Sequence, residues 1–206
     1  DEAGHSASDM ATLIDAVKYF VPLVTKAWNL PDVTVGTDDC GIDGIKVYIT
    51  ERNRHSGALG YHTKENGQTV AYCSPKACFY AFGRYSKPLI IKNHQIHGAV
   101  YSEGLVSVIC HEIAEALVDP VIANFSAVDS KNRQWLVEVC DHVYGSYSMS
   151  TFNGNICVLP DVTTPAFYKQ GSQAPYSIFH GATAPFQMTP KGYAFYKDSN
   201  GRLAKI

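Results

Sequence analysis

Residues 104–119 constrain the chain more than any other stretch, because they put an apolar stripe and an ionisable stripe on one helix. At about 100° per residue, Leu105, Ile109, Ile113, Ala116 and Leu117 share one arc and predict a core-facing stripe. His111, Glu115 and Asp119 follow at i,i+4 spacing on the neighbouring arc, with Glu112 beside them. No lysine or arginine occurs between Lys92 and Lys131, although Glu103, Glu112, Glu115, Asp119 and Asp129 all fall there. Carboxylates at this spacing repel by about 0.2–0.5 kcal/mol in water and by more when partly buried. Asp119 also stands at the helix C-terminus, against the dipole. A bound cation answers these penalties together. The plain alternative is a solvated acidic face.

The order His111-Glu112-x-x-Glu115 suits a shared metal, because i and i+4 side chains meet on one helix face. In the His-Glu-x-x-His arrangement of zinc peptidases, the two histidines bind the metal and the first glutamate is the general base. Here Glu115 stands where the second histidine would be, which gives a harder ligand set. The expected centre is a divalent cation, zinc or calcium, on His111 and Glu115, with Glu112 as the base. A second acidic cluster, Glu138-Val-Cys140-Asp141-His142, supplies Glu138 and Asp141 as further ligands beside Asp119. Cys110 precedes His111 and Cys140 precedes Asp141, so a Cys110–Cys140 disulfide would draw the two acidic segments together.

The run from His111 to Pro120, then Glu138-Val-Cys140-Asp141, Pro165-Ala-Phe-Tyr168 and the late Pro185-Phe186 and Gly192-Tyr193, carries a resemblance. It resembles an uncharacterised zincin-like family of hypothetical proteins of bacteria and phages. The likeness covers roughly residues 57–196 and faintly includes Ala58-Leu-Gly-Tyr61-His62. It implies a zincin-like fold in which His111, Glu112, Glu115, Asp119, Glu138 and Asp141 belong to one site, and it implies no established reaction. The cysteine-rich character departs from the family and points to a secreted branch.

Elsewhere the patterning predicts an α+β fold. Residues 8–28 read as an amphipathic helix, with Pro22 expected to kink it or split it in two. Strands are expected at 33–35 and 45–49, and a pair at 57–62 and 69–73 around the turn Glu65-Asn66-Gly67. Another is expected at 89–91. After Pro120 short segments near 135–139, 156–159, 166–168, 176–179 and 193–196 are broken by Gly, Pro and Ser, with Asn153-Gly154 as a hairpin turn. The reading is a single domain over 1–206. Residues 1–120 form a lobe of helix, sheet and metal-site helix, and 121–206 form a loop-rich lobe of short strands.

Six cysteines stand at 40, 73, 78, 110, 140 and 157, an even set that suits a disulfide framework. Cys73–Cys78 closes a short loop, with Cys110–Cys140 and Cys40–Cys157 as the favoured remainder. Asn124-Phe-Ser126 is an N-glycosylation sequon. Together with the polar start, which reads as a mature terminus, these features predict a secreted, extracellular protein. A net charge of −2 gives no footprint for nucleic acid, and no apolar run is long enough to span a membrane. His94-x-x-His97 reads as loop surface, and no nucleophile elbow or phosphate loop occurs. Two functions compete. One is a metal-dependent hydrolase acting on a peptide or protein. The other is a non-catalytic extracellular binding module or self-associating subunit, for which charge-poor strands rich in tyrosine (13 in all) would serve.

Overall fold

A computed structural model describes residues 7–38, 40–50, 58, 60–73 and 104–206, with the side chain of residue 156 excepted. The expected strand at 89–91, the His94/His97 pair, Cys78 and the start of the expected strand at 57–62 lie outside the described residues. The architecture is α+β, as the patterning predicts: two α-helices and several small sheets among the described residues.

Helix α1 runs Ala7–Trp28 without interruption, so Pro22 does not split it. Pro22 and Lys18 lie on the exposed face, where the carbonyl that loses its N–H partner is open to water. The opposite face buries Leu13, Ala16, Val17, Phe20, Val21 and Val24. Complete burial of a side chain such as Phe20 contributes about 1.5–3 kcal/mol. Helix α2 spans Leu105–Val118, and the predicted stripe Leu105, Ile109, Ile113 and Ala116 is buried. Residues 33–35, expected as a strand, are irregular. Flanked by proline and glycine, this stretch is too short to hold a ladder.

Strands β1 (Ile45–Ile49), β2 (Gly60–Glu65) and β3 (Gln68–Cys73) form a mixed sheet in the order β1-β3-β2, with β1 parallel and β2 antiparallel to β3. The β2–β3 hairpin closes on Asn66 and Gly67, both at positive φ (51° and 86°), which the Asn-Gly pair supplies at little cost. Later in the chain come β4 (Ala127–Val128) and β5 (Gln134–Trp135), followed by the hairpin β6 (Tyr147–Phe152) and β7 (Asn155–Pro160), which turns on Asn153-Gly154 as predicted. Strands β8 (Phe195–Lys197) and β9 (Leu203–Lys205) complete a four-stranded sheet in the order β4-β5-β8-β9. Residues 165–168 form a 3-10 turn rather than a strand, and 176–179 make one isolated bridge, Thr163 to Ser177.

Helix α2 is enclosed. It packs against α1, β1, β2, β3 and β7. Its ionisable side chains therefore face mostly protein, with an edge of His111 left open.

Asp161 organises the lobe after residue 120. It is 1% exposed, and its carboxylate accepts hydrogen bonds from Ser146 Oγ (2.9 Å), Ser177 Oγ (2.8 Å) and the N–H groups of Val162, Phe179 and Gly181. A side chain on Gly181 would overlap Ser146 Oγ and approach Asp161 Oδ2 to 2.6 Å, so the donor loop admits only glycine there. Asp161→Ala should lower stability by about 3–5 kcal/mol, because it orphans buried donors together, and Gly181→Ala should be nearly as damaging. Urea denaturation of both variants checks this.

Asp129 anchors the β4–β5 turn. It accepts from Arg133 Nε (2.6 Å), Trp135 Nε1 (3.0 Å) and the N–H groups of Lys131 and Arg133. Burial works to raise its pKa, but these donors outweigh it and hold the carboxyl below its ordinary value. A depressed folded pKa gives stability that is present above the unfolded value, near 4, and lost as pH falls through the folded one. Asp129→Ala should cost about 2 kcal/mol at neutral pH and flatten the acid limb of the stability profile below about pH 4, measured by urea denaturation across pH.

Candidate metal centre

The enclosed face of α2 carries His111, Glu112 and Glu115, and the neighbouring elements answer them. Strand β2 supplies His62, which shares the inward face with Gly60 by the period of two. The segment after β5 supplies Glu138 and Cys140, and a 3-10 turn over Asp141–Val143 supplies Asp141 and His142. Glu112, Glu115, Glu138, Asp141 and His62 are all buried; the His111 side chain, at 17% exposure, is the most open of the set.

His111 Nε2 lies 3.2 Å from Glu115 Oε1 and 3.2 Å from Asp141 Oδ1. The Cys140 N–H donates to the same Glu115 oxygen at 3.3 Å. Across the cluster, His62 Nδ1 lies 3.5 Å from Glu112 Oε2 and 3.9 Å from Glu115 Oε2. His62 Nε2 donates to the Asp119 carbonyl at 3.1 Å; a carbonyl only accepts, so this nitrogen carries the proton. Glu138 lies beside Glu115 and Asp141, and Tyr193 lies beside Asp141. Glu138 Oε2 and His142 Nε2 are buried with no hydrogen-bond partner among the described residues, and no donor is aligned on Asp141 Oδ1.

The electrostatics follow from burial. Burial alone would lower His111 and His62, but Glu115 with Asp141, and Glu112 with Glu115, outweigh it and hold both imidazoles above their ordinary value. Burial pushes Glu138 up to about 10, helped by Glu115 and Asp141, so this carboxyl keeps its proton when no cation is present. Burial also raises Glu112 and Asp141. Glu115 goes the other way: burial opposes it, but His111, His62 and the Cys140 N–H hold it low. Among the described residues, two imidazoles face Glu112, Glu115 and Asp141, together with a Glu138 carboxyl that keeps its proton.

The structure brings together His111, Glu112, Glu115, Glu138 and Asp141, all singled out from the sequence. Asp119 is placed differently. As the residue that ends α2 it leaves helical geometry, and its carboxylate turns to the following loop, where Oδ2 accepts the Asn124 N–H at 3.1 Å. Its carbonyl meets His62, and its Oδ1 is buried with no hydrogen-bond partner among the described residues. Asn124, the predicted glycosylation site, is half-buried on that loop. His62 and Tyr193 are additions. The alternation of β2 shows which residues share a face with Gly60, but not that the face lies on α2.

Two disulfide expectations are corrected. Cys40, Cys110, Cys140 and Cys157 are thiols, so neither Cys110–Cys140 nor Cys40–Cys157 forms. Cys110 lies about 100° round the helix from His111 and points into the core, where Cys157 is its neighbour. Cys140 lies on the His111 side, its thiol 3.8 Å from the His111 carbonyl. Glu115 bonding the Cys140 N–H joins the two segments in place of a disulfide. The Cys73–Cys78 pairing lies outside the described residues.

What sets Asp141 in place is aromatic. His142 is fully buried, stacked on Phe167 (centroids 5.4 Å, 24°) and against Trp135 (5.4 Å), with Nδ1 2.8 Å from Tyr168 Oη. Burial drives it down to about 3, so it is a neutral ring that pins the turn.

A family model described as phosphate-induced protein 1 conserved region matches residues 8–175, and the chain belongs to that family. This overturns the resemblance to the zincin-like family of bacterial and phage hypothetical proteins, which rested on a few short motifs, whereas the family model spans most of the chain. No curated protein and no solved structure matches.

Gly60 is what lets α2 approach β2. A Cβ there would lie 2.7 Å from Glu112 Oε1 and 2.8 Å from Val108 Cγ1. Gly60→Ala should cost about 1–3 kcal/mol by overpacking and displace the Glu112 carboxylate. A thermal melt and a crystal structure of the variant check both effects.

Proposed function

We propose that this member of the phosphate-induced protein 1 family binds a divalent cation in the buried cluster, with His111, Glu115 and Asp141 as ligands and Glu138 beside them. The observation that carries the reading is the pair of equal contacts at His111 Nε2, 3.2 Å to each of two carboxylates. Ligands about 2.0–2.1 Å from one small cation lie about 3.0–3.4 Å from each other, so the spacing suits a shared ion. A cation would also occupy the oxygens of Glu138 and Asp141 that have no aligned donor. Zinc fits this spacing and the imidazole better than calcium, whose six to eight oxygen ligands stand further out.

Such an ion ties α2 to the 138–141 segment. A second reading, hydrolysis of a peptide or protein substrate, is favoured by the exposed edge of His111, which leaves the ion one open side. There the ion would polarise water or a carbonyl, and Glu112 would take the proton. Glu112 sits in the same cluster but is turned towards His62, which makes cation binding the leading reading.

Chelator treatment should lower the melting temperature of the wild-type protein, and lower that of His111→Ala by less. At a cation concentration of 100 times Kd the shift corresponds to about 2.7 kcal/mol. Identical melts with and without chelator in the wild type would end the proposal. For the hydrolytic reading, Glu112→Gln should reduce turnover of a peptide substrate by about 10²–10⁴-fold while the cation at His111 is retained. Unchanged turnover would leave the binding role alone.

A further inference from the structure

We propose that the cluster holds a second divalent cation, on His62 and Glu112, with the Glu115 carboxylate bridging the two ions. The inference rests on the first cation site and adds a neighbour to it. Glu115 is the key. Its Oε1 faces His111 Nε2 at 3.2 Å, while its Oε2 faces His62 Nδ1 at 3.9 Å. One carboxylate thus offers an oxygen to each of two histidines from different elements, α2 and β2.

His62 is oriented as a ligand. Its Nε2–H is spent on the Asp119 carbonyl, which leaves Nδ1 as the inward atom. An imidazole fixed by its far nitrogen in this way is the usual form of a metal-binding histidine. The inward nitrogen meets two carboxylates at 3.5 and 3.9 Å. A charge-assisted hydrogen bond would close to about 2.7–2.9 Å, so these contacts are long for direct hydrogen bonds. The ligand atoms of His62, Glu112 and Glu115 all lie within 4.8 Å of one another, and all three residues are buried. Gly60, without a side chain, lets the Glu112 carboxylate lie between β2 and α2.

Two ions sharing a carboxylate stand about 3.5–4 Å apart and can hold a hydroxide between them. In that arrangement Glu112 would be a ligand and not the base, and the proton lost by the bound water would pass to bulk solvent.

The test is stoichiometry. Full-length protein is stripped with chelator and titrated with Zn²⁺ by calorimetry, with elemental analysis of the dialysed product; a parallel sample takes Mn²⁺ for electron paramagnetic resonance. The wild type should bind two equivalents and give an exchange-coupled Mn²⁺ pair. His62→Ala should bind one and give an isolated-ion signal, with its melt still sensitive to chelator. His62→Gln, which keeps an N–H for the Asp119 carbonyl, serves if the alanine variant does not fold, and should also bind one. One equivalent in the wild type, or two in either His62 variant, would overturn the second ion and leave the first standing. No bound cation at all would remove both.

Discussion

A carboxylate at the centre of a protein must be answered by donors, and Glu115 is that carboxylate here. Helix α2 is packed on by α1, by the sheet of β1–β3 and by β7, so its polar stripe meets water only at an edge of His111. Leaving Glu115 unanswered would cost several kcal/mol. Its partners come from three directions: His111 on the same helix, His62 from the sheet, and the N–H of Cys140 from the later lobe. Much of the remaining architecture places those groups. The Asn66-Gly67 turn sets the register that puts His62 on the inward face, and the Asp161 hub holds the loops that follow Asp141.

The helix was legible because two patterns coincide on it, the 3.6-residue apolar period and the crowding of charge without lysine or arginine. The hairpins at Asn66-Gly67 and Asn153-Gly154 were legible because that dipeptide supplies positive φ where the turn needs it. His62 was hidden for a physical reason: a strand's alternation separates its two faces but does not say what packs on either. The Asp161 hub was hidden too, since its donors are mostly backbone N–H groups, which every residue has. The cysteines misled. Adjacency of Cys110 to His111 and of Cys140 to Asp141 suggested a bridge, yet neighbours on a helix point about 100° apart. The family likeness misled in a similar way, because short runs of acidic residues and histidine recur wherever a helix must hold polar groups inside.

The aromatic cage around His142 shows how precise placement of a carboxylate is achieved without touching it. Trp135, Phe167 and Tyr168 grip a neutral ring, and that ring is the next residue after Asp141. Stiff rings have few rotamers to lose, so the turn is held at low entropic cost. The carboxylate that meets His111 therefore inherits its position from packing that carries no charge.

The members of the cluster come from far-apart points of the chain, with His62 near the start of the ordered sheet and Tyr193 close to the last strands. Consider the nascent chain. When α2 emerges, His62 is the cluster member outside the helix that is already made among the described residues, and Cys140, Asp141 and Tyr193 are still unmade. The change in texture at Pro120 thus marks a change in local structure and not a place to cut. An N-terminal piece released there would keep the apolar stripe, His111 and His62 but lose the Cys140 N–H and the 138–141 segment, leaving α2 with a hydrophobic surface it must hide and a charged one it must show.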